Sequence, residues 1–318
     1  MKRPFLLLLL ISLIAIGLHA EENPRIRFQI EFYGGFSTAN PEDLNLALDA
    51  EEELNNFYYN NSYSYLESID YINSYSYKRQ GSYNRIDGVM PFGLRIKANV
   101  GSTFAFSLGL RYMSGTQKSY PREEFSAIEN SGSVSTEVLE YSPLQLNMSG
   151  MSVQIGIHAG RNFGRKFRVE GYLSAGPVFG EFSYSYLLKN DLNYGDSGLA
   201  FSTETSQGLK GKGSGFAVDV GAQVYMNLTE HFRAFLMGSY SHQRLNSLSG
   251  DGEQNIFGFP EYWEGEICLI KEPQRAPWGT KDIVYLSNND LLIEYYKERN
   301  MRLDLSGFSI SIGIAFRI

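Results

Sequence analysis

Apolar and polar side chains alternate residue by residue along eight stretches of this chain, and a period of two is the signature of a strand with two different faces. The last stretch is the most regular: Phe308, Ile310, Ile312, Ile314, Phe316 and Ile318 alternate with Ser309, Ser311, Gly313, Ala315 and Arg317. The others are centred near residues 25–36, 89–100, 104–112, 151–159, 167–179, 216–226 and 232–241. The seventh is the least regular, because Phe235 and Met237 fall on its polar face.

The connections alternate too. Three are tight, near residues 101, 164 and 229, and four are long, covering about 37–88, 114–149, 184–214 and 245–304. A transmembrane barrel has an even strand number, short turns at one end and long loops at the other, with one apolar face to lipid. The pattern predicts an all-β fold, an eight-stranded antiparallel up-and-down barrel with both termini on the periplasmic side. Two extra strands from the fourth loop would make ten. Phe28, Phe104, Phe163, Phe167, Phe232 and Phe316 fall near the short turns, and Tyr112, Phe179, Phe216, Tyr240 and Phe308 near the long loops. Two such belts mark the two membrane interfaces.

The first twenty residues read as a secretory signal peptide: Lys2 and Arg3, an apolar run from Phe5 to Leu18, then Ala20 before Glu21-Glu22. Residues 21–318 then form the barrel, placed in a bacterial outer membrane. The 28 Lys and Arg face 35 Asp and Glu, for a net charge of −7. That balance argues against nucleic acid, which needs a basic footprint. Cys268 is the single cysteine, so no intrachain disulfide is expected, and it reads as a small residue in a surface segment.

On these strands the chain resembles the eight-stranded outer-membrane barrels, the group of the OmpA membrane domain and OmpX. The resemblance extends to Phe308–Ile318, which looks like the terminal signal read by the barrel-assembly machinery, although the chain ends in Ile318 rather than an aromatic residue. It implies lipid and lipopolysaccharide as surroundings and a monomer as the favoured state.

Candidate chemistry is sparse. The polar faces carry Arg27, Glu31, Arg95, Lys97, Arg111, His158, Arg168, Glu170, Asp219, Arg233 and Arg317. An eight-stranded barrel is only wide enough for side chains to fill it. Those charges are therefore expected to form a paired network, with Arg27, Lys97, Arg168, Arg233 and Arg317 near the periplasmic mouth. A narrow solute path is the alternative. In the first loop, Pro41-Glu42-Asp43 starts a helix running to about residue 56. Tyr58, Tyr59, Tyr63, Tyr65, Tyr71, Tyr75 and Tyr77 then offer a candidate recognition surface, since Tyr gives contact area at low entropic cost. His242 lies close in sequence to Ser239 and Ser241, the one hint of a lipid-modifying enzyme. No metal, nucleotide or cofactor motif is present. The expectation is a non-enzymatic structural or surface-recognition protein.

Overall fold

A computed structural model describes residues 26–39, 41–68, 72–129, 135–194, 199–277 and 279–318. The expected signal peptide lies outside the described residues. The elements run β1 (Ile26–Thr38), α1 (Glu42–Ser68), β2 (Ile72–Gln80), β3 (Gly88–Val100), β4 (Phe104–Ser119), β5 (Arg122–Glu129), β6 (Ser135–Tyr141), β7 (Leu144–Phe163) and β8 (Phe167–Tyr194). They continue with β9 (Leu199–Asn227), β10 (Phe232–Ile256), β11 (Phe259–Glu266), β12 (Cys268–Ala276), β13 (Gly279–Ser287), α2 (Asp290–Tyr296), β14 (Lys297–Asn300), β15 (Arg302–Asp304) and β16 (Gly307–Arg317).

The fold is all-β and antiparallel, with thirteen of the described strands in one sheet and three in a second. The first sheet therefore holds more strands than the eight expected. Its pairings nevertheless return on themselves: β1 to β3, β3 to β4, β4 to β7, β7 to β8, β8 to β9, β9 to β10, β10 to β16, and β16 back to β1. The remaining strands hang on this ring. The β5–β6 hairpin joins it through β8 and carries β2 at its far edge, while β11 and β15 pair with β10.

Between the two aromatic belts the ring is inverted relative to a water-soluble protein. Its outward side chains are apolar and exposed, as with Phe92, Leu110, Ile155 (71% exposed) and Ile312 (70%). Its inward side chains are charged or polar and buried, as with Glu31, Lys97, Glu170, Asp219 and Gln223. Among the described residues no helix is long and apolar enough to cross a membrane.

Beyond the second belt the strands do not stop. β8 and β9 run for 28 and 29 residues, so much of the expected loops 114–149, 184–214 and 245–304 is strand. The polarity reverses there without any break in the backbone. On β7, inward positions change from Ser152, Gln154 and His158 to Met148, Leu146 and Leu144; on β8 they become Phe182 and Tyr184. These residues form one apolar core with Leu209, Leu245, Leu248, Ile267 and Leu303. We call this long-loop end of the molecule the crown.

Helix α1 lies over that core. Leu44 and Leu48 are 1% exposed, and burying each contributes on the order of 1.5–3 kcal/mol. The helix runs to Ser68, twelve residues past its expected end near 56. No Gly or Pro occurs between Glu42 and Gln80, and Tyr, Asn and Ser are middling helix residues rather than breakers. Ion pairs and amide bonds hold it in place. Asp43 accepts from Arg299 Nη1 (2.6 Å) and from the Arg302 backbone N–H (2.7 Å). Asn45 exchanges two hydrogen bonds with the backbone of Ile86 (2.9 and 3.2 Å). The fourth loop forms the upper part of the β10–β11 hairpin, the three-stranded β12–β14 sheet and α2; β11, β12, β13 and β14 do not enter the ring. Among the described residues helix is confined there to Asp290–Tyr296. Cys268 is fully buried in the small sheet rather than at the surface, and burial raises its thiol pKa.

Candidate functional site

Two places gather polar side chains: the lumen of the ring and the crown. The lumen assembles because alternate residues of adjacent strands must share one narrow space. At its centre Lys97 Nζ sits between Glu31 (3.3 Å) and Glu170, which it also bonds closely. Arg95 donates to Glu31 and to Gln223 (both 3.2 Å), and Arg168 donates to Glu170 through Nε. Tyr225 donates to Glu31 and accepts from Lys97 (2.8 Å). His158 bonds Ser107 (2.9 Å) and stacks on Tyr172 (5.5 Å between centroids).

Above this layer Tyr33, Tyr172, Phe235 and Met237 pack together. The two residues that spoil the alternation of the seventh stretch thus fill the lumen beside the Arg95 guanidinium, which lies 4.8 Å from the Tyr172 ring centre. Higher still, Arg111 pairs with Asp219 (3.0 Å), and Ser241 also donates to Asp219. Lys97 and Tyr225 have no exposed surface, so side chains close the lumen at their level.

Of the expected lumen residues, Glu31, Arg95, Lys97, His158, Arg168, Glu170, Arg111 and Asp219 are brought together in this way. Lys97 and Arg168 are sealed in the network rather than solvated at the mouth. Arg233 does lie towards the short turns, donating to Asn227 (2.7 Å) and Gln29 (3.2 Å). Arg27 is exposed and lies outside the network. Gln29, Gln223 and Tyr225 complete it; their alternation already placed them on the polar face, but as neutral residues they gave no charge signal.

Apart from Tyr71, the expected recognition tyrosines fall on α1 and β2, and most of their side chains lie outside the described residues. Tyr58, Tyr59, Tyr63 and Tyr65 lie on α1, but their side chains, and Tyr71 entirely, fall outside the described residues. Tyr75 lies on β2 at a ring distance of 6.2 Å from Phe125. Tyr77 is half-buried, and burial together with Glu123 raises its hydroxyl pKa. Glu123 faces Glu140 across the β5–β6 register, and both are 2% exposed. Burial raises the pKa of Glu140 to about 7. It also raises that of Glu123, against the pull of Arg79 at 3.4 Å.

The sequence-adjacent His242, Ser239 and Ser241 do not come together either. Both serines point inward, Ser239 to Ser309 (2.6 Å) and Ser241 to Asp219, whereas His242 points outward. Its hydroxyl neighbour is Ser306, at 3.1 Å from Nδ1, a contact made by β10 and the segment before β16. Among the described residues no carboxylate orients this imidazole, which a nucleophile–base pair needs.

No protein-family model and no curated protein sequence matches this chain. Among solved structures it is similar to the outer membrane protease OmpT from Escherichia coli, over 93% of this chain and 99% of that one, with 7% identity and a TM-score of 0.26. The expectation of a protein without enzymatic activity is corrected at this point, because the structure it resembles is that of an enzyme. A likeness this weak transfers neither an activity nor a site.

Proposed function

We propose that this chain is an eight-stranded outer-membrane barrel whose sealed lumen is a rigid foundation and whose crown is the working, surface-recognising part. The observation that carries this reading is the inverted ring: an apolar exterior bounded by two aromatic belts around a buried ionic interior. In water that exterior would be an apolar surface far larger than soluble monomers present; in lipid it is the favourable one. Passage of solutes is the weaker reading, because Lys97, Glu170 and Tyr225 occupy the lumen.

In this reading the short turns and both termini face the periplasm, β16 presents its strand to the assembly machinery, and the crown faces outward. The experiment is epitope insertion. A tag between Phe257 and Gly258 is expected to bind antibody on intact cells, and one between Arg165 and Lys166 only after the outer membrane is opened. Equal access at both positions, or the reverse pattern, removes the proposal.

A further inference from the structure

A cavity of about 260 Å³ opens in the crown between α1, the upper strands and the small sheet. Its walls follow from the register. Tyr184 pairs with Leu209, Leu209 with Gly252, and Gly252 with Trp263, so these four form one row across β8, β9, β10 and β11. The next row towards the tip is a cross-strand amide pair, Gln207 and Gln254. Opposite stand Ala47, Ala50 and Leu54 of α1, with Glu272 and Gln274 of β12 to the side. The space exists because small residues face it. Ala47 and Ala50 lie three apart on one helix face, whereas beside Gly252 the space is taken by Asn288, whose Oδ1 would lie 2.2 Å from an added Cβ.

The chemistry of the lining selects its ligand. Tyr184 and Trp263 offer broad apolar faces with a polar edge. The amides both donate and accept, matching hydroxyl groups that do the same. Among the described residues no Lys or Arg lines the cavity, so a phosphate or carboxylate would enter without a counter-charge, beside Glu272. A purely apolar ligand would strip water from the amides and return nothing. We propose that this cavity binds a neutral saccharide of one or two rings, its C–H face against the aromatic row and its hydroxyls on the amides. The inference rests on reading the crown as the recognition end, and it names the ligand class.

The test uses the full chain refolded in a phosphocholine detergent, since glycoside detergents carry the probe chemistry. A Trp278→Phe background leaves Trp263 as the single reporter. Glucose, maltose, lactose and N,N′-diacetylchitobiose are titrated by Trp fluorescence and saturation-transfer NMR, with glucose 6-phosphate and glucuronate as charged counterparts. At least one neutral sugar is expected to saturate, and its charged counterparts to bind about tenfold more weakly or worse. Ala50→Phe, which fills the cavity, and Gln254→Leu, which removes one amide, should each weaken binding about tenfold or more. Heat-modifiable gel migration verifies that each variant folds. Saturation by none of the neutral sugars, equal binding of charged ones, or binding untouched by both substitutions overturns the inference. A negative result with the Phe257–Gly258 tag still exposed on cells removes the saccharide site alone; loss of that exposure removes the barrel reading itself.

Discussion

Lys97 is the residue on which the lumen depends most. Its ammonium has no exposed surface and compensates two carboxylates from different strands, Glu31 and Glu170. A buried ion pair gains little over an apolar substitute, but deleting one partner strands the other's charge. Lys97→Met is expected to cost about 3–5 kcal/mol in urea unfolding of the barrel in lipid vesicles. Arg27→Ala, also a basic residue on a polar-face position but exposed, should stay within about 0.5 kcal/mol. A loss below 1 kcal/mol for Lys97→Met would contradict the network. A second residue-scale effect belongs to the crown. Glu140, raised to about 7 by burial, binds its proton more tightly folded than unfolded. Its contribution is therefore fully present below about pH 4.5 and is lost as pH rises through 7, by at most ~3 kcal/mol. Hydrogen exchange of β6 should accelerate from pH 5 to 8 beyond the intrinsic rate, and Glu140→Gln should abolish that excess.

At the scale of elements, the β10–β11 turn holds a local conflict. Phe257 and Gly258 both have positive φ, 51° and 87°, the geometry of a two-residue hairpin turn that favours Asn-Gly. Gly258 adopts it freely, whereas a bulky side chain at Phe257 is strained. Phe257→Asn is expected to stabilise the hairpin by about 1 kcal/mol and slow exchange of the β11 amides about fivefold. Unchanged exchange would show that the turn is relaxed with Phe in place. The strands between the belts were legible in the sequence because apolar residues keep one parity there. In the crown the parity reverses: inward Asp219 and Ala217 on β9 give way to Leu209, and outward Phe179 on β8 to inward Phe182. A search for strands with one outward apolar face therefore loses them at the belt. The helix extension past residue 56 and the cavity wall were illegible for a different reason. Helix length there reflects the absence of breakers, and the cavity depends on which distant strands share a row.

At the scale of the whole molecule, two kinds of core are stacked in one ring. Between the belts the interior is ionic and the exterior apolar; in the crown the interior is apolar, and the exterior mixes charged side chains such as Lys189 and Glu204 with exposed Phe201, Phe259 and Tyr262. Lipid around the lower storey and water around the upper one satisfy both, and no single solvent would. The most direct measurement is a spin-label scan of β16. Single cysteines replace Phe308 to Phe316 one at a time in a Cys268→Ser background, and each nitroxide-labelled protein is reconstituted in phosphatidylcholine. The account predicts that oxygen access peaks at Phe308, Ile310, Ile312 and Ile314. Ser309, Ser311 and Gly313 should give immobilised, inaccessible spectra. A scan without a period of two, or peak positions reached by a water-soluble nickel complex instead of oxygen, would contradict it.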